Sequence, residues 1–188
     1  MTAETVRTPE HNHGSGGAIG SGSGAEREAL LSFLAEQREF LLFTLKGLDR
    51  ERASERPTSS ALNLAGLVKH VSQAERGWIR FIDDGAPEVD FESEETTDHH
   101  ENTFRLLGDE TLAGVLAEYE ETAARTEAYI RALPSLEVSR KLPPAPWLPE
   151  DTAWTARDVL LHLIRETAQH SGHADIIRES LDGQKTMG

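Results

Sequence analysis

Apolar residues recur along this chain at intervals of three and four in four long stretches, and no stretch of comparable length alternates with period two. That spacing predicts amphipathic helices rather than strands, beyond one short strand at most. The first helix is expected over about residues 25–48, where Leu30, Leu31, Leu34, Phe40, Leu41 and Leu45 form a broad stripe. The second is expected over about 63–82, capped by Asn63, with Leu67, His70, Ala74, Trp78 and Phe81 on its inward side. A third spans about 110–133 and uses Leu112, Val115, Leu116, Tyr119, Ala123 and Ile130. The fourth opens with the capping-box-like Thr155-Ala156-Arg157-Asp158 and stops before Gly183. Residues 83–109 are far more than a bundle hairpin needs, so the second and third helices should be joined by a crossover. Residues 134–154 include Pro143-Pro144-Ala145-Pro146-Trp147-Leu148-Pro149, a pre-ordered segment suited to a stiff flap over one bundle end. The expected fold is an all-α four-helix bundle with a long crossover between helices 2 and 3.

Composition narrows the function. Residues 1–24 are polar and Gly/Ser-rich, as in Gly20-Ser21-Gly22-Ser23-Gly24, and are expected to be a disordered tail ahead of one domain over 25–188. His11 and His13 in that tail make a poor ligand pair. The 188 residues include no cysteine, which excludes disulfides, cysteine-zinc sites and thiol nucleophiles; any thiol chemistry needs an external thiol. A net charge of −14 argues against a nucleic-acid partner. No apolar run approaches a membrane span, and the start lacks the pattern of a signal peptide, so a cytoplasmic location is expected.

The ionisable residues of the fourth helix are oddly placed. On a wheel centred on Glu166, His170, His173 and His162 all fall within about 40°, and Val159, Leu163 and Ile177 lie in the same sector. Arg157, Asp175, Arg178 and Glu179 lie opposite. Charge on a core face is costly unless paired or bound to a metal. Glu166 and His170, at i and i+4, can reach one point, although such a pair is often an ordinary hydrogen bond. His70 faces inward on the second helix, flanked by Gly66 and Gly77, which allow close helix approach or leave space for a ligand. Two imidazoles and a carboxylate form a catalytic zinc set with an open position, and bundle metal sites are built from inward side chains on facing helices. The candidate metal ligands are therefore His70, Glu166 and His170. His162, His173 and Trp78 are candidate pocket or supporting residues, with His173 a possible fourth ligand. His99, His100, Glu92, Glu94 and Glu95 read as a solvated acidic loop. Neither an EF-hand nor a di-iron bundle fits the spacing.

Two segments carry a family resemblance: Leu64-Ala65-Gly66-Leu67-Val68-Lys69-His70 followed by Glu75-Arg76-Gly77-Trp78, and Trp154-Thr155-Ala156-Arg157-Asp158 through Glu166-Thr167-Ala168-Gln169-His170-Ser171-Gly172-His173. Over about residues 26–187 the chain resembles the DinB-like metalloenzyme superfamily, in its actinobacterial mini-circle branch. The resemblance implies a crossover bundle and a metal triad at His70, Glu166 and His170. Many relatives carry His where this chain has Glu166; the mycothiol-dependent maleylpyruvate isomerases carry Glu. The implied activity is transfer or isomerisation with a low-molecular-weight thiol such as mycothiol as co-substrate. Zinc is the expected occupant, with nickel, iron or manganese as alternatives, and a homodimer is expected. Arg76 and Arg157 are weak candidates for contacting an anionic substrate. Two other readings stay open at this point: hydrolysis by metal-bound water, and a non-catalytic metal-stabilised bundle, which four protein ligands would favour.

Overall fold

The computed structural model describes residues 22–86, 93–145 and 147–186. Four long helices form the bundle: α1 (Gly22–Phe43), α3 (Leu64–Asp84), α5 (Leu112–Ala132) and α6 (Ala156–Asp182). Two short helices lie between them, α2 (Arg50–Ala53) and α4 (Glu94–Thr103). An antiparallel pair, β1 (Ser139–Lys141) and β2 (Ala153–Thr155), bridges α5 and α6.

Cross-helix contacts fix the directions. Glu26 pairs with Arg157, Gln37 accepts from Ser171 and Thr44 accepts from Arg178, so α1 and α6 run parallel. Ser72 meets Thr122 and Tyr129 meets Asp83, so α3 and α5 also run parallel. His70 faces Glu166 whereas Trp78 faces His162, which makes the two pairs antiparallel to each other. Two consecutive parallel helices require a connection that travels back along the bundle, and its described part from residue 93 to 111 includes α4.

The caps follow local chemistry. Asn63 accepts from the Gly66 N–H at 2.9 Å, opening α3. Thr155 and Asp158 form a full capping box on α6, and Gly183, at φ 80°, closes it in the left-handed conformation.

Several details differ from the sequence reading. Helix α1 starts at Gly22, inside the segment expected to be disordered, and ends at Phe43 rather than near residue 48; turns and α2 follow. Residues 1–21 of the expected tail lie outside the described residues. His99 and His100 sit on α4, not in a loop; Ser93 caps that helix by accepting from the Thr96 N–H. Its mean hydropathy is too low for a periodic signal. Arg178, placed outward by the wheel, is buried: its guanidinium donates to the Thr44 and Lys46 carbonyls at 2.7 and 3.0 Å, where α1 ends against α6. These carbonyls have no helical partner of their own, so a cation is drawn to them.

The core falls into two apolar clusters. One gathers Leu41, Leu45, Leu64, Leu67, Val68, Val115 and Ile177. The other gathers Leu31, Leu34, Phe81, Ile82, Ile130, Leu160 and Leu163. A polar belt of Arg38, Ser72, Glu75, Thr122, Thr126 and Thr167, all buried, also lies within the bundle.

Candidate metal centre

His70 sits in the second turn of α3, whereas Glu166 and His170 occupy one face of α6. Antiparallel packing brings these faces together. His70 Nε2 lies 3.3 Å from Glu166 Oε1, and His170 Nε2 lies 3.2 Å from the same oxygen. All three donor atoms fall within 4.8 Å of one another. A tetrahedral ion bound at about 2.0–2.1 Å holds its donors roughly 3.3 Å apart, so the two nitrogen–oxygen separations fit such an ion. Both imidazoles are buried, and the Glu166 carboxyl retains 24 % exposure, leaving the cluster a side open to solvent.

The protonation pattern strengthens the fit. The Thr103 hydroxyl donates its one proton to the His100 carbonyl at 2.6 Å. It can therefore only accept from His70 Nδ1, 2.9 Å away. This fixes the proton of neutral His70 on Nδ1 and turns the Nε2 lone pair toward the Glu166 oxygen. Two acceptors facing each other at 3.3 Å need a cation between them, either a metal or a proton on the imidazole. Where a proton rather than a metal fills that gap, His170 and then His70, through their hydrogen bonds, hold the Glu166 carboxyl far below the usual carboxylate range, against the opposing effect of burial. An anionic carboxylate with two imidazoles suits zinc, nickel, iron or manganese better than calcium or magnesium.

The supporting residues divide. His173 Nδ1 approaches His170 Nδ1 at 3.4 Å, on the side of that ring away from the Glu166-facing nitrogen. It stands behind a ligand candidate rather than beside the shared oxygen. His162 and Trp78 form a separate aromatic group one turn away: Trp78 stacks on Trp154 at 4.8 Å and meets the His162 ring edge-on at 4.8 Å. Burial lowers the pKa of His162, and its Nδ1 accepts from Arg165 at 2.8 Å. Arg76 is paired with Glu118, and Arg157 with Glu26 and Glu137, so neither guanidinium is held in reserve for a substrate.

Sequence reasoning missed the crossover's part in the centre. The Phe104 ring stacks on His70 at 3.9 Å, and His100 meets His70 edge-on at 5.8 Å. Gly66 makes this possible, since a Cβ there would stand 1.9 Å from the Phe104 carbonyl oxygen. Gly77 is different: a Cβ there meets nothing within 4 Å. The available signal was the apolar Phe104, Leu106 and Leu107 directly after the polar stretch 92–103.

The profile of the mycothiol-S-transferase family matches residues 29–183. No curated protein matches the chain. Among solved structures, a conserved protein from Enterococcus faecalis superposes with a TM-score of 0.62 at 14 % identity, covering 84 % of this chain and 97 % of its own. That likeness shows a shared fold. No described helix is long and apolar enough to cross a membrane. With both the bundle and the extent of the profile match in agreement, the chain belongs to the mycothiol S-transferase family, a DinB-like family.

Proposed function

We propose that this protein is a divalent-metal-dependent S-transferase, joining a low-molecular-weight thiol of the mycothiol type to a small electrophile. The observation that carries the metal part is the convergence of His70 and His170 Nε2 on one Glu166 oxygen, with the His70 tautomer set by Thr103. The thiol part rests on family membership and on a chain that holds no cysteine of its own. A divalent ion at this site, zinc by preference, supplies a Lewis acid that favours thiolate over thiol. The chain's residues do the rest. Glu166 contributes the negative charge that makes the site select a cation. Thr103 and His173 hold the outer nitrogens of His70 and His170, orienting both rings. Phe104 covers His70 and shields that side from water. In the balanced reaction the sulfur forms a bond to the electrophilic carbon, the leaving group departs with its electron pair, and the thiol proton passes to solvent.

The test combines metal analysis of untagged protein with a thiol-consumption assay using mycothiol and a panel of alkylating electrophiles. One transition-metal ion per chain and activity that is lost on chelation and restored by zinc are expected. His70→Ala and His170→Ala should abolish both, Glu166→Gln should weaken metal affinity sharply, and Glu166→His should retain metal. Protein carrying only magnesium or calcium, or full occupancy in both His70→Ala and Glu166→Gln, overturns the proposal.

A further inference from the structure

Beside the triad lies a cavity of about 350 Å³, walled by Arg56, Leu62, His100, Glu101, Phe104 and Arg105. Two of those walls, Phe104 and His100, also touch His70, so the cavity shares its boundary with the candidate metal centre. Its charge is unusual for this molecule. The chain carries −14 overall, and most of its described arginines are bound to carboxylates or carbonyls. Arg56 has no hydrogen-bond or ion-pair partner among the described residues. The Arg105 guanidinium bonds only to the neutral Asn102 side chain, at 2.9 and 2.5 Å, and so keeps its charge uncompensated. Against these two cations the cavity wall sets one carboxylate, Glu101, leaving one positive charge in excess. The remaining walls are apolar or aromatic.

We infer that this cavity is the acid-binding subsite of the enzyme: it receives a small amphipathic monocarboxylate, its carboxylate against Arg56 and Arg105 and its apolar body against Leu62 and Phe104. Guanidinium forks match carboxylates in shape as well as charge. The electrophilic substrate is then an organic acid, an identification that rests on the transferase reading; the binding of the acid does not. Arg56 and Arg105 would set specificity and take no part in bond making.

Benzoate and its neutral isostere benzamide are the probes, titrated into the full chain with side-chain shifts of His100 and the aromatic rings followed by NMR. Benzoate should bind saturably in both zinc-loaded and chelated protein, and at least tenfold more tightly than benzamide. The double variant Arg56→Gln/Arg105→Gln, at two exposed positions, should lose that preference with an unchanged melting temperature. Equal binding of benzoate and benzamide, unaltered benzoate binding in the double variant, or binding that disappears on chelation each overturns the subsite. A second assay compares 4-(chloromethyl)benzoate with its methyl ester. Sulfur bonds to the benzylic carbon, chloride leaves with the bonding pair and the thiol proton goes to solvent. The acid should show roughly tenfold higher kcat/KM, lost in the double variant, and a persisting preference there overturns the assignment. Failure of both substrates to react while benzoate still binds defeats the transferase reading and leaves the subsite standing.

Discussion

Two clusters of charge lie among the helices of this bundle, and they resolve the cost of burial in opposite ways. Arg38 and Glu75 form a closed pair: Arg38 Nη2 and Nε meet the two carboxylate oxygens at 2.6 and 3.1 Å, with side-chain exposures of 5 % and 1 %. Every charge there is matched by another side chain. His70, Glu166 and His170 are arranged differently, with two ring nitrogens and a carboxylate oxygen aimed at one another and one edge open to water. The closed pair is complete within the protein, whereas the open cluster has the donor set to take up a cation from outside. Both involve α3, five residues apart, at Glu75 and His70. Burial and charge alone therefore do not mark a candidate site; unmatched, convergent acceptors do.

The sharpest way to break that comparison is to remove one partner of the closed pair. Arg38→Met should destabilise by about 3–5 kcal/mol, since it strands a buried carboxylate. Adding Glu75→Leu should recover much of the loss. Denaturant melts of the single and double variants decide it, and zinc stoichiometry should stay at one in the double variant. The open cluster should respond the other way. His70→Ala should cost little in chelated protein, yet remove the metal-dependent stabilisation, about 2.7 kcal/mol when free metal is a hundredfold above Kd. Melting with and without chelator reads this directly, and a chelator effect retained in the variant would place the ion elsewhere. A smaller effect separates ligand from support. Thr103→Val leaves the triad intact but removes the acceptor for His70 Nδ1, so metal affinity should fall roughly 10–100-fold, measured by competition with a coloured chelator.

The smallest effect concerns pH in metal-free protein. The folded Glu166 carboxyl titrates below its unfolded value of about 4.3. Its contribution to stability is therefore present above that pH and is lost as pH falls through the folded value. Glu166→Gln should flatten this acid limb, modestly because the group is partly exposed. An unchanged limb in acid denaturation curves would mean that the two imidazoles do not hold the carboxylate.

Much of this was readable from residue spacing. The four long helices, the Asn63 and Thr155 caps, the stop at Gly183 and the crossover all follow from periodicity and local hydrogen-bonding chemistry. His70, Glu166 and His170 stood out because they are polar on apolar faces. The rest depended on tertiary neighbours that a single helical wheel ignores. Arg178 is buried because the end of α1 lands on it, and Arg38 because Glu75 opposes it. Helix α4 is nearly all polar and offers no periodic signal, although it brings His100, and Thr103 and Phe104 at its end, to the centre. The Gly66 contact is a meeting of two backbones, visible only once both are in place.

On the proposed metal reading, the hydrogen bond from His70 to Thr103 would also tie ion binding to the docking of the crossover. Such coupling is reciprocal: if a seated α4 improves the ion's grip by some factor, the bound ion strengthens α4's seating by the same factor. Amide exchange along Glu94–Thr103 would then become an occupancy gauge, slowing as an ion loads while α5, which carries none of the three residues, serves as an internal reference.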